Sequence, residues 1–285
     1  MSAAGRTIGL LGAEKQAAVS AALAWPELPF IFVSDQRVVD GWDLGNVRHE
    51  WARPGALGPL LDRPDVHWVP LCGRWLQPGL GPSNRLGRFD LATLFHRLER
   101  ELGDVVLPVL PAAGSGARYI VKGNAWHRPD PPLIGTDFDR DEVADRHGCG
   151  LVYQPYWPWS RHYLATGCRG PEGIDLAVIQ VHGEMCIRDD FLTSGQTVRH
   201  DRLAGLTREL VDVLDHRGFF TCNWLENGEE VRLTSLRPVP RALFRTLRRA
   251  GLGGFDPPGP GLRLAPAGLK FTVDTHYSSY HPLAA

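Results

Sequence analysis

The 285-residue sequence lacks several features that would place it in a functional class at once. Its formal net charge is only −1 at pH 7, so it lacks the positive surface with which proteins usually bind nucleic acids or anionic membranes. No apolar run approaches the roughly 20 residues that span a bilayer. The amino terminus has no basic segment ahead of a long apolar core. We therefore expect a cytoplasmic protein without a signal peptide.

Cysteine and histidine patterns typical of metal sites or disulfide frameworks are also missing. The five cysteines are an odd number, lie far apart and form no Cys-x-x-Cys pair. The 11 histidines include no His-Glu-x-x-His spacing. These absences argue against a disulfide framework and against catalysis by a metal held by His and Cys. We expect the thiols to be buried and inert.

Lysine is scarce, and one of the few lysines lies in an unusual place. Only three of the 31 basic residues are lysines, namely Lys15, Lys122 and Lys270. Lys122 follows the apolar run Tyr-Ile-Val and precedes a glycine. An ammonium group is a compact point charge, whereas the guanidinium of arginine is a planar fork. A lysine retained in such a segment indicates a functional need for a compact charge, although a strand-end lysine that reaches solvent is the simpler alternative.

The first half of the sequence predicts a small α/β unit followed by loops and a helix. Residues 7–12 and 30–33 are short apolar runs typical of buried strands, and residues 13–24 between them predict a helix. This order favours a parallel strand–helix–strand unit. Residues 52–88 are rich in Gly, Pro and Arg and predict loops with short elements. Apolar residues at helical spacing predict a further helix over 90–102.

The second half predicts a mixed α+β body. Strands are expected near 119–122 and 150–156, with a short helix near 141–147 between them. A hairpin is expected over 174–191, then a helix over 203–214 and a pair of strands joined by the turn Glu226-Asn227-Gly228-Glu229. The predicted fold class is therefore α/β plus α+β.

Three sequence features occur in an order that resembles the ATP-grasp superfamily of ligases. Lys122 ends an apolar strand, Gln154 lies on the next strand in Leu-Val-Tyr-Gln-Pro-Tyr, and a later hairpin ends in Arg237-Pro238. The resemblance covers residues 90–240. It implies a small amino-terminal α/β lobe (1–89) followed by two α+β lobes (90–165 and 166–285) that enclose a nucleotide cleft.

The resemblance also implies roles for single residues in binding ATP. Lys122 would contact the nucleotide phosphates, and Gln154 would face the adenine amino group. The backbone from Gln154 to Tyr156 would bind the ring edge, with Tyr156 and Trp157 packed on the base. Arg237 would be catalytic, near the transferred phosphate. Packing in the core is the alternative reading of the aromatic residues.

The metal-binding positions of the family depart from its pattern in this sequence. Asn223 stands at the position of the strand aspartate, and the last strand has Leu233 and Ser235 where the family has a glutamate and an asparagine. Mg²⁺ bound with ATP is usually held by one or two carboxylates together with phosphate oxygens. Asn223 and Ser235 are therefore the candidate metal positions but supply no carboxylate. Three acids could substitute for them: Asp189, Asp190 and Glu226.

Two functions follow from the resemblance, and a third possibility lies outside it. The first is an ATP-dependent ligase that couples a small carboxylate to an amine, with ATP and Mg²⁺ as cofactors. A kinase-like outcome without amine capture belongs to the same chemistry. The second is a non-catalytic binding or regulatory subunit of a biosynthetic complex, and a homodimer is also possible. An α/β protein unrelated to nucleotides would be expected only if the Lys122 and Arg237 strands did not meet.

Overall fold

The computed structural model describes most of the chain. The described residues are 7–12, 15–34, 44–53, 56–70, 90–111, 118–123, 133–135, 150–182, 194–237, 244–252, 255 and 258–272. They form three β-sheets with helices packed against them, which confirms the predicted mixture of α/β and α+β structure. Among them, no helix is long and apolar enough to cross a membrane.

The amino-terminal part of the chain forms a four-stranded parallel sheet. Its strands lie in the order β3-β2-β1-β4. The two central strands are almost entirely buried, as their continuous apolar sequences predict. The elements of this part are β1 (Thr7–Leu11), α1 (Lys15–Ala24), β2 (Phe30–Ser34), β3 (Val47–Trp51), α2 (Gly58–Leu61) and β4 (Val66–Pro70).

A small antiparallel sheet carries the lysine singled out above. It consists of β5 (Tyr119–Gly123), β6 (Leu133–Gly135) and β7 (Leu151–Pro155), in the order β6-β5-β7. Lys122 of β5 lies opposite Val152 of β7.

A seven-stranded, mainly antiparallel sheet forms the body of the carboxyl-terminal half. Its strands pair in the order β12-β11-β8-β9-β10-β14, and β13 pairs with β9 in parallel. One face packs against helices α3 and α4, and the other packs against α5. The elements are α3 (Leu91–Leu102), β8 (Arg161–Arg169), β9 (Gly173–His182), β10 (Ser194–Thr197), α4 (Asp201–Val213), β11 (Gly218–Asn227), β12 (Glu230–Arg237), α5 (Phe244–Arg249), β13 (Gly261–Leu264) and β14 (Lys270–Thr272).

The segment 106–110 connects the small sheet to the edge of the large one. The Leu107 N–H donates to the carbonyl of Leu233 on β12 (3.0 Å), and the Leu110 N–H donates to the carbonyl of Tyr153 on β7 (2.8 Å). These bonds satisfy backbone groups on both sheets and hold their edges side by side. The strand that carries Lys122 is thereby fixed beside the β11–β12 hairpin.

Most predicted elements agree with the structure. Residues 52–88, predicted as loops with short elements, include the short elements α2 and β4. β4 completes the first sheet by pairing with β1, a contact that no local pattern shows. β9 covers the first half of the hairpin predicted over 174–191, while the rest of it and the helix near 141–147 lie outside the described residues. The division into three lobes remains a prediction, and β8 spans its boundary at position 165.

The two described cysteines fit the expectation of inert thiols. Cys168 and Cys222 are buried and not disulfide-bonded. Burial, with a smaller contribution from the nearby Asp175 carboxylate, raises the pKa of Cys168 to about 12, and burial also raises the pKa of Cys222. Both side chains are therefore neutral thiols at physiological pH.

Candidate functional site

Lys122 reaches from the small sheet to the edge of the large sheet. Its Nζ donates to Gln154 Oε1 at 2.7 Å and to the backbone carbonyl of Thr234 on β12. The same ammonium group lies 5.7 Å from the centroid of the Phe95 ring on α3. The simpler alternative, a strand-end lysine that extends into solvent, does not describe this geometry. The Lys122 strand and the strand that ends in Arg237 therefore meet, as the ATP-grasp resemblance requires.

Gln154 fixes the position of the Lys122 ammonium group. Its side chain is fully buried, and its Nε2 donates to the carbonyl of Leu107 at 3.1 Å while its Oε1 accepts from Lys122. Both polar atoms of the amide are thus engaged within the protein. In this geometry the Gln154 side chain orients Lys122. The contact between Gln154 and an adenine amino group remains a prediction.

The charge of Lys122 is unusually costly in the folded protein. Its two recorded acceptors are neutral oxygens. Burial, followed by the positive charge of the nearby Arg237 guanidinium, lowers the pKa of Lys122 to about 7 from an ordinary value of 10.5. An anion placed beside these two side chains would favour the charged form of the lysine. The site therefore has the electrostatics expected of an anion-binding site.

The two candidate metal positions lie opposite each other on the β11–β12 hairpin. Asn223 pairs directly with Ser235, and Thr221 pairs with Arg237, so these four side chains lie on one face of the sheet. A register shift between Asn223 and Trp224 leaves Thr234 without a paired partner across the hairpin.

Leu233 does not belong to this face. It pairs with Trp224, and both side chains are fully buried in the apolar cluster on the opposite side of the sheet. Leu233, at the position of the family's glutamate, therefore does not share the face that carries Asn223 and Ser235, the two candidate metal positions.

Asn223 has a buried neighbour that sequence reasoning did not identify. Its Oδ1 lies 3.2 Å from His162 Nε2 on β8, and both side chains are buried. The Asn223 Nδ2 is also buried, and it has no hydrogen-bond partner among the described residues. The sequence does contain a signal for His162, because this polar residue lies near the start of the largely apolar strand β8.

Glu226, one of the three proposed substitute acids, lies on the other face of the sheet. Glu226 is three residues after Asn223 on β11, so its side chain points to the opposite face. It pairs with Val231, which belongs to the apolar cluster on that face. Its Oε1 accepts from Arg161 Nη1 at 3.1 Å, and its Oε2 lies 2.9 Å from His200 Nε2. Glu226 is therefore engaged in an ion-pair network away from Lys122. Asp189 and Asp190 lie outside the described residues.

The described residues do not fit a magnesium ion at the hairpin. Asn223 and Ser235 supply an amide and a hydroxyl where Mg²⁺ prefers carboxylates, and the Asn223 oxygen already faces His162. Across the part of the chain that the structure describes, no cluster of three or more His, Cys, Asp or Glu side chains is placed to hold a metal ion.

The aromatic residues after β7 pack against arginines. The Cζ of Arg118 lies 4.3 Å from the centroid of the Tyr156 ring, and the Tyr156 N–H donates to the Arg118 carbonyl at 2.9 Å. The Arg232 Cζ lies 5.6 Å from the Trp157 ring. The Tyr156 N–H, predicted to bind the edge of the base, is thus already bonded to the Arg118 carbonyl. Stacking of the Tyr156 or Trp157 ring on a base remains a prediction.

Comparison with known proteins gives matches in structure but not in sequence. No protein-family model and no curated protein sequence matches the chain. An N5-carboxyaminoimidazole synthetase from Staphylococcus aureus complexed with ADP is 15% identical with a TM-score of 0.60; the match covers 83% of this chain and 71% of that one.

Two further solved structures share the same architecture. An L-amino acid ligase from Bacillus licheniformis is 11% identical with a TM-score of 0.60, and the match covers 86% of this chain and 70% of that one. The glycinamide-RNase-transformylase T from Mycobacterium tuberculosis is 15% identical with a TM-score of 0.60, covering 93% and 84% respectively. At such low identities, a structural match establishes a shared fold and not a shared activity. This chain has the ATP-grasp fold.

Proposed function

We propose that the chain binds ATP beside the β11–β12 hairpin and uses it to activate a small carboxylate for attack by an amine. The observation that carries this proposal is that Lys122 of the small sheet donates to the Thr234 carbonyl of β12, the strand that ends in Arg237. Two cationic residues are thus supplied by different sheets at the end of one strand, and both acceptors of Lys122 are neutral oxygens. The ATP-grasp fold and a similar structure that holds ADP support a nucleotide as the anion.

The chemistry asked of these residues is electrostatic. In carboxylate activation, a carboxylate oxygen attacks the terminal phosphorus of ATP, and the bond from that phosphorus to the bridging oxygen breaks. The amine then attacks the acyl carbon, and phosphate leaves. Lys122 and Arg237 would stabilise the negative charge on the transferring phosphoryl group. Gln154 would hold the Lys122 ammonium in place while this occurs.

A second candidate function is favoured by the absence of carboxylates at Asn223 and Ser235. Metal ions contribute several kcal/mol of charge stabilisation to phosphoryl transfer, so a site without metal ligands favours binding over catalysis. The chain would then be a non-catalytic nucleotide-binding or regulatory subunit of a biosynthetic complex. A homodimer and a cytoplasmic location likewise remain predictions.

Two measurements test the proposal and separate the two functions. Calorimetric titration with ATP should show binding that is lost in Lys122→Met and retained in Lys270→Met, a control that removes an exposed lysine on β14. Release of ADP that depends on added carboxylates and amines would support the ligase. Binding without such turnover would support the regulatory subunit, and undiminished binding by Lys122→Met would contradict both.

A further inference from the structure

The hairpin face beside Lys122 carries groups that can donate hydrogen bonds and, among its described residues, no carboxylate. Asn223 supplies an amide, Ser235 supplies a hydroxyl, and Arg237 supplies a guanidinium, all on one face of β11 and β12. The Lys122 ammonium group lies at the edge of this face, on the carbonyl of Thr234, the residue before Ser235. A guanidinium and an ammonium group only donate hydrogen bonds, so they repel a cation and attract an anion.

The orientation of Asn223 strengthens this reading. Because its Oδ1 faces His162 Nε2, the amide oxygen is directed towards β8. The Nδ2 group is left as a buried donor with no hydrogen-bond partner among the described residues. A buried donor without an acceptor is unfavourable, and an incoming phosphate oxygen would supply the missing acceptor. The same amide group would have to turn its oxygen away from His162 before it could bind a cation.

The ionic environment points in the same direction. The nearest buried carboxylate on this hairpin, Glu226, lies on the opposite face and is engaged with Arg161 and His200. It cannot reach a metal ion placed between Asn223 and Ser235 without crossing the sheet. Among the described residues of β11 and β12, the side chains on this face are neutral or positive: Thr221, Asn223, Ser235 and Arg237.

We infer that the chain binds the phosphates of a nucleoside di- or triphosphate directly through these donors, with no divalent cation between the hairpin and the phosphates. Asn223 and Ser235 take the place of the metal, and Lys122 and Arg237 supply the positive charge that the metal would have provided. The inference rests on the proposed nucleotide binding and specifies the ionic form of the nucleotide that the site accepts, which is the metal-free polyphosphate.

The test is calorimetric titration of the whole chain with ATP in excess EDTA and, separately, in excess magnesium chloride. We expect the dissociation constant in EDTA to be equal to or smaller than that in magnesium, because magnesium bound to ATP competes with the protein donors for the phosphate oxygens. Inorganic tripolyphosphate should compete with ATP in EDTA, because the donors contact phosphates and not the base. Wild-type binding that is at least about tenfold tighter in magnesium would overturn the inference while leaving nucleotide binding intact.

A variant that restores carboxylates provides the matching experiment. In Asn223→Asp with Ser235→Glu, two negative charges face each other on the hairpin, so binding in EDTA should weaken at least about tenfold and magnesium should restore it. Asn223→Asp alone serves if the double variant does not fold. Glu226→Gln, on the other face, should bind ATP like the wild type in both buffers. Equal ATP binding by the aspartate variants and the wild type in EDTA would contradict the inference, whereas absence of ATP binding in every buffer would overturn the proposed function as well.

Discussion

Replacement of Lys122 by methionine is expected to stabilise the folded protein at pH 6 and to lose that advantage by pH 9. The folded pKa of Lys122 is about 7, against an ordinary value of 10.5. The unfolded chain therefore binds more protons than the folded chain between these values, and wild-type stability rises with pH across this window. From the two pKa values, the shifted protonation equilibrium of Lys122 lowers the free energy of unfolding by about 5 kcal/mol at pH 6 and by about 2 kcal/mol at pH 9. The reference is a neutral side chain at the same position.

Methionine has a similar length and removes this cost, but it leaves the buried Oε1 of Gln154 without its donor. That loss costs about 1–3 kcal/mol at any pH. Lys122→Met should accordingly be more stable than the wild type by about 2–4 kcal/mol at pH 6 and nearly equal to it at pH 9.

The assay is urea unfolding of wild type and variant at several pH values between 6 and 9. Lys270→Met is the control, since its side chain is exposed, and its stability difference from the wild type should not change with pH. A stability difference for Lys122→Met that stays constant across this pH range would refute the reasoning, because it would mean that the folded protein does not lower the pKa of Lys122.

Three other predictions concern residues outside the phosphate site. Glu226→Gln removes a charge that pairs with two basic side chains, so the free energy of unfolding should fall by about 1–3 kcal/mol in urea titrations; no change would mean that the pairs are not formed. Burial lowers the pKa of His216 to about 4 from 6.5. The free energy of unfolding should therefore fall by about 3 kcal/mol as the pH drops from 6.5 to 4. In His216→Asn this part of the pH dependence should disappear. A Cβ on Gly9 would lie 2.1 Å from a ring carbon of Trp68, so Gly9→Ala should lower the free energy of unfolding by about 1–3 kcal/mol. Trp68→Leu in the same chain should recover part of this loss. Simple additivity of the two changes would contradict the contact.

The elements of the fold were largely predictable because their apolar patterns are local. The continuous apolar runs of β1 and β2 and the helical stripe of α3 indicate their structures without any partner. β4 was not predictable as a strand of the first sheet, because its pairing with β1 joins residues almost 60 positions apart. Such contacts are specified by the packing of the whole sheet and not by a local pattern.

The candidate site was predictable only in part, for a related reason. The scarcity of lysine drew attention to Lys122, and the structure places its ammonium group on the Thr234 carbonyl of the strand that ends in Arg237. The register shift on the hairpin, which puts Leu233 on the face opposite Ser235, could not be read from the spacing of the last strand. His162 and the Thr234 carbonyl were missed, since one is brought near by strand pairing and the other is a backbone atom.

Proton uptake on nucleotide binding tests the central claim most directly. At pH 8, a lysine with a pKa of about 7 is about nine-tenths deprotonated, and a phosphate bound beside it would favour the charged form. Calorimetric titration with ATP at pH 8, in two buffers of different ionisation enthalpy, should therefore reveal uptake of close to one proton per ATP bound. Binding of ATP without net proton uptake would contradict the claim that Lys122 holds the phosphates.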